Sequence, residues 1–108
     1  TLFRSLYAES LRINLELEDK WALAFLFEDI AMLLAQKDRS LIALNLVGTA
    51  NRIREEIESP LPESLKTKLE QKLEPAYAAA ANGADQLLET GKGMSMAEAG
   101  SLALEALQ

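Results

Sequence analysis

Apolar residues recur at an offset of forty positions in this chain, and that recurrence limits the folds open to it. Phe3, Tyr7 and Ser10 lie on one helical stripe; Ala43, Val47 and Ala50 lie on the same stripe forty residues on. Leu2 and Leu6 return as Ile42 and Leu46 at that offset. Spacings of three and four put such residues on one face of a helix. A helical unit repeated at this period points to a stacked array rather than to a closed catalytic domain. Arrays of this sort hold or recognise other proteins.

At 108 residues the chain suffices for one small domain with a modest core. Aromatic residues are only 6 % of it, and Ala and Leu dominate, both of which favour helices. Five Gly and three Pro are too few for a turn-rich sheet protein. No run approaches the ~20 uninterrupted apolar residues of a membrane span. A net charge of −6 argues against direct binding to nucleic acid and against an anionic membrane surface. The absence of Cys fits a cytoplasmic location and excludes thiol chemistry. With no signal peptide, no starting Met and an opening inside an amphipathic pattern, the chain is expected to be a piece of a longer cytoplasmic protein.

The periodicity predicts a first helix from Thr1 to about Leu17, buried through Leu2 or Phe3, Leu6, Tyr7, Ser10, Leu11 and Asn14 or Leu15. Asp19 is placed to cap a second helix, from about Lys20 to Gln36, whose broad apolar face carries Trp21, Leu23, Ala24, Phe27, Ile30, Ala31 and Leu34. Asp38 is placed to cap a third, from about Arg39 to Ile57, with Ala43, Leu46, Val47, Ala50, Ile53 or Arg54, and Ile57 on its core face. Gly48 in that helix interior implies a close helix crossing, and Arg52, Arg54, Glu55, Glu56 and Glu58 read as a solvated face. Pro60 and Pro62 break the chain, with Pro62 suited to the first position of helix four. That helix is expected to run to about Ala81 with a kink near Gln71 to Pro75; two helices meeting at Pro75 are the alternative. Asn82-Gly83 ends it, with Gly83 able to take a positive φ. A short helix from Ala84 to Thr90 precedes a break at Gly91 and Gly93. Ser95 and Glu98 have the spacing of a capping box for a last helix reaching Leu107.

Between Ala24 and Ala50 the chain resembles a tetratricopeptide repeat (TPR), a pair of antiparallel helices that alternates large and small residues. Phe27 stands where that family commonly has Trp, Ile30-Ala31 match its Leu-Gly pair, and Leu34 its Tyr. Ala43, Val47 and Ala50 match its small-large-small triplet, which Phe3, Tyr7 and Ser10 would repeat for a preceding unit. The family's terminal Pro is replaced by Glu55, and the offset of forty exceeds the usual 34. Three further blocks, Leu46 to Arg54, Pro60-Leu61-Pro62 and Gly91 to Ala99, resemble the C-terminal end of multidomain bacterial signalling ATPases and transcriptional regulators of the LuxR and SARP types. The resemblance implies a TPR-like α–α superhelix of antiparallel hairpins. Residues 1–58 would form one and a half repeats, and residues 59–108 capping helices of the same domain.

The sequence offers little chemistry. It has no His, so imidazole catalysis and the common zinc sites are excluded, and its serines lack an activating base. Glu28-Asp29 and Glu55-Glu56 are adjacent on helices and do not face each other. Gly91-Lys92-Gly93 lacks the length and the strand of a phosphate loop. No enzyme activity, cofactor or metal is therefore expected. Trp21 is read as core at the mouth of a helical hairpin, with an exposed contact point as the alternative. Phe25, Glu28, Met32 and Ala35 recur off the main stripe of helix two. By the resemblance they face the concave groove of the array, where an apolar surface with one acid would take an amphipathic or basic peptide. The alternative is that neighbouring helices cover them.

The expected function is a non-catalytic protein–protein interaction or scaffold module. Its partners would be proteins, peptides or neighbouring domains of the parent chain. The alternative is a purely structural end-cap with no partner. Apolar surface at the start of helix one also predicts self-association through that end.

Overall fold

The computed structural model describes residues 2–37 and 39–108; the Asp38 cap lies outside the described residues. Among the described residues six α-helices form: α1 (Leu2–Leu17), α2 (Lys20–Ala35), α3 (Ser40–Glu56), α4 (Glu63–Ala80), α5 (Ala84–Lys92) and α6 (Met96–Ala106), with a 3-10 turn, Ala81–Gly83, between α4 and α5. No strand occurs among the described residues, so the chain is all-α, and none of these helices is long and apolar enough to cross a membrane.

The helix boundaries follow from local chemistry. The Asp19 carboxylate accepts from the Ala22 amide at 3.0 Å, which satisfies a first-turn donor of α2. Ser95 and Glu98 form the reciprocal capping box at the start of α6, at 3.0 and 2.9 Å. Pro62 sits one position earlier than expected, as the residue flanking α4, and Pro75 lies inside that helix. Pro75 has no N–H to return to the preceding turn. Beside this interruption Gln36 donates to the Lys72 carbonyl at 2.8 Å.

α1 and α3 stop in the same way. The Asp19 amide reaches back to the Asn14 carbonyl and the Ser59 amide to the Arg54 carbonyl, both at 3.1 Å. The residues at the turn, Glu18 (φ 54°) and Glu58 (φ 52°), take the left-handed conformation that glycine usually supplies. They are themselves forty positions apart.

α3 is the central helix and packs against α2, α4, α5 and α6. It packs most extensively on α2. The Lys20–Glu56 ion pair at 3.4 Å ties the start of α2 to the end of α3, so the two run antiparallel. Ala24, Ala31, Ala43 and Ala50 are fully buried in the core, with Phe27, Ile30, Leu34, Leu46 and Ile53. Each large side chain among these contributes about 1.5–3 kcal/mol on burial.

α5 crosses α3 with backbone against backbone. A Cβ on Gly48 would come within 2.1 Å of the Leu88 carbonyl oxygen, and one on Gly91 within 1.8 Å of the Asn45 carbonyl oxygen. The close crossing inferred from Gly48 is therefore present, but its partner corrects an expectation. Gly91 does not break the chain; it lies buried inside α5, which runs on to Lys92. Around it Thr49 Oγ1 donates to the Gly91 carbonyl at 2.6 Å, and Arg52 donates to the carbonyls of Lys92 and Met94. Side chains of α3 thereby bond carbonyls at and just beyond the end of α5, among them that of Lys92.

The first and last helices meet. Arg4 donates to the carbonyls of Ala106 and Leu107, and Gly100 leaves room for the Leu15 side chain, so α1 and α6 lie antiparallel. α1 also packs on α2. Its inner face is Tyr7, Ala8, Leu11 and Leu15, whereas Leu2 (72 % exposed), Phe3 (68 %) and Leu6 face outward. That corrects the expected buried stripe. α1 carries two apolar stripes, and the packing of α2 and α6 selects the one through Leu11 and Leu15. Trp21, expected in the core with an exposed position as the alternative, is 59 % exposed and stacks edge-on against Phe25.

Candidate functional site: a groove beside a buried ion pair

Glu28 and Arg54 are the buried charged side chains among the described residues, and they hold each other. Arg54 Nε donates to Glu28 Oε2 at 2.6 Å and Nη2 to Oε1 at 2.8 Å, a bidentate fork. Nη1 donates to the Ser59 carbonyl at 2.9 Å, and the Phe25 ring lies under the guanidinium with its centroid 4.5 Å away. One side chain thus joins α2, α3 and the turn leading to α4. A planar guanidinium suits that combination of forked hydrogen bonding and stacking.

Beside this pair a groove of about 720 Å³ opens between α3, the Ser59–Pro62 turn and α4. Val47, Leu61, Leu69 and Leu73 supply its apolar lining. Glu55, Glu58, Glu63 and Glu70 stand exposed around it, with Lys66 as the exposed cation. Lys92 approaches Glu55 at 3.6 Å. Tyr77 also lines it; burial, then the nearby Glu70 and Asp85, push its hydroxyl above the usual phenol range. The groove therefore combines an apolar floor with a mainly acidic rim.

The four residues read as sharing a groove, or alternatively as covered by neighbouring helices, are divided, and Glu28 and Ala35 are covered. Only Glu28 lines the groove described above, and its charge is already engaged by Arg54. Ala35 is buried, Met32 is half-buried against the core, and Phe25 is half-buried beneath Arg54. The open surface lies along α3 and α4 instead, because residues 59–62 fold α4 back across one side of the α2–α3 hairpin. Arg54, read both as the alternative to Ile53 on the core face and as part of a solvated face, is in the interior. The signal was available in its spacing: seven positions after Val47, it falls in the phase of a buried stripe, where a charge requires a partner.

Asp29, next to Glu28 in sequence, faces elsewhere. Burial raises its carboxyl above the ordinary carboxylate range, and Lys68 partly offsets the shift. Burial also raises Tyr7 on α1, with the Asp29 charge adding to it. The two carboxylates occupy separate environments and form no dyad. Among the described residues no three acidic side chains gather as a metal site.

No protein family, curated protein or solved structure matches the chain.

Proposed function

We propose that this chain is a non-catalytic protein-interaction module that receives a basic amphipathic segment in the α3–α4 groove. The observation that carries this is the pairing of an apolar floor with an acidic rim. Such a surface favours a helix or extended peptide with apolar anchors flanked by Lys or Arg. A fixed bidentate pair underlies the groove, so its wall is held in place before any partner arrives, which lowers the entropic cost of binding.

A TPR-like origin, and with it a place in a bacterial cytoplasmic signalling ATPase or transcriptional regulator, belongs to the same proposal. Its support is the shared stop at Glu18 and Glu58, forty residues apart, and the buried alanines of the α2–α3 hairpin. The return of α6 onto α1 departs from an open linear stack, whose repeats contact only their neighbours.

A second reading, a structural end-cap, is favoured by the way α4, α5 and α6 surround α3. Titration with a Lys-rich amphipathic peptide, followed by amide chemical shifts, separates the two. Binding should perturb the α3 and α4 amides, weaken with added salt, and weaken when Glu58 and Glu63 are changed to Lys. These residues are exposed, so the fold should survive the change. A peptide that leaves every groove amide unmoved would favour the cap.

A further inference from the structure

The outer face of α1 carries an apolar stripe that nothing among the described residues covers. Leu2, Leu6, Ile13 and Leu17 lie along it at intervals of four, seven and four, and each is about half exposed or more. Forty residues on, the same register of α3 is Ile42, Leu46, Ile53 and Ile57. There Leu46 and Ile53 are completely buried and Ile42 and Ile57 pack on the core. On α3 this register is buried among neighbouring helices; on α1 it is bare.

The intervals are palindromic. Leu2 with Leu17, and Leu6 with Ile13, are each centred between positions 9 and 10. Two such helices placed antiparallel bring Leu2 onto Leu17 and Leu6 onto Ile13 twice over, the self-complementary geometry of a two-fold interface. Charge follows the same symmetry. Glu9 and Arg12 are exposed and lie together along one flank of the stripe, and neither forms an ion pair within the described chain. Across the two-fold axis the Glu9 of each copy comes within reach of the Arg12 of the other. Like charges meeting at the axis are thereby compensated.

We infer that the outer face of α1 is a homodimer interface in which a second copy of this chain packs its own α1 antiparallel, in the register Leu2–Leu17 and Leu6–Ile13. This inference does not depend on the groove, which lies along α3 and α4.

The register can be tested directly because the chain has no cysteine. Leu6→Cys mixed with Ile13→Cys should give a disulfide-linked heterodimer under mild oxidation, whereas Leu6→Cys alone should not link. Sedimentation should show the parent chain as a concentration-dependent dimer, and Leu6→Asp together with Ile13→Asp should abolish that dimer while leaving helical circular dichroism unchanged. A parent chain that sediments as a monomer at millimolar concentration overturns the inference, as it would if another polypeptide covers the stripe. Efficient linking of Leu6→Cys to itself, the mark of a parallel pair, also overturns it, as does a dimer indifferent to the two Asp substitutions.

Discussion

Arg54 on α3 holds both carboxylate oxygens of Glu28 on α2, at 2.6 and 2.8 Å, with both side chains almost completely out of water. Removing two charges from solvent is costly, and the mutual attraction repays it only when geometry and further hydrogen bonds are good. Here the fork, the Ser59 carbonyl and the Phe25 ring meet that condition.

The pair should therefore behave asymmetrically under mutation. Arg54→Met leaves a carboxylate buried without a partner and is expected to cost about 3–5 kcal/mol. Glu28→Leu combined with Arg54→Met removes both charges and should recover most of that loss. Urea unfolding of the parent, both single variants and the double variant measures the coupling. An Arg54→Met protein within about 0.5 kcal/mol of the parent, as for an ordinary surface substitution, would contradict the burial described.

The crossing of α3 and α5 gives a steric prediction. A methyl group on Gly91 meets the Asn45 backbone, which cannot rotate aside as a side chain can. Gly91→Ala should force the helices apart and cost about 1–3 kcal/mol or more, the range of overpacked cores. Gly83→Ala is the matched control. Nothing lies within 4 Å of its added methyl and its φ is −87°, so it should be neutral or gain about 0.4–1 kcal/mol by restricting the unfolded chain. Thermal melts of the two variants should therefore move apart; equal melting temperatures would count against the close crossing.

These two sites also show what sequence reasoning could reach. The helices were readable, α5 from its start at Ala84 but two residues short at its end, because apolar periodicity, the Asp19 cap, the Ser95–Glu98 box and the Pro60–Pro62 break are local signals. Gly48 pointed to a crossing, but its partner Gly91 sits in a Gly-Lys-Gly run that also suits a turn, and only the fold separates those uses. α1 has two apolar stripes, and its own sequence contains nothing that selects between them. The burial of Arg54 was legible only as an alternative to Ile53, because charged neighbours flank it, and that of Glu28 only as the alternative in which neighbouring helices cover it. The groove arises from where α4 lands, a property of the whole chain.

Asp29 provides a pH signature. Its folded pKa is raised by burial, so its carboxylate form is penalised in the native state and the unfolded chain ionises first as pH rises. The penalty is absent below the ordinary carboxylate range, grows as pH climbs from the unfolded to the folded pKa, and is complete above the latter. Asp29→Asn should therefore melt higher than the parent at neutral pH, with the difference shrinking on acidification. A difference that is constant with pH, or larger in acid, would show that desolvation does not dominate at this position.

The turn between α4 and α5 should accept a stabilising change. Gly83, the expected site of a positive φ, stays at −87°, and Ala81 takes the reversal at φ 51°, ψ −122°. Those angles are close to the first central position of a type II′ turn, a place that glycine fills because a Cβ crowds the backbone there. An L-residue held in so sparse a region costs on the order of 1–3 kcal/mol. Ala81 is exposed, so removing its methyl group sacrifices little burial. Ala81→Gly should relieve the strain, offset in part by the greater freedom of glycine in the unfolded chain, about 0.5–1 kcal/mol. The expected net result is a modest rise in melting temperature, and Ala81→Val should lower it, because a β-branched side chain crowds this backbone more than Ala does. If Val were tolerated as well as Gly, the positive φ at this position would be wrong.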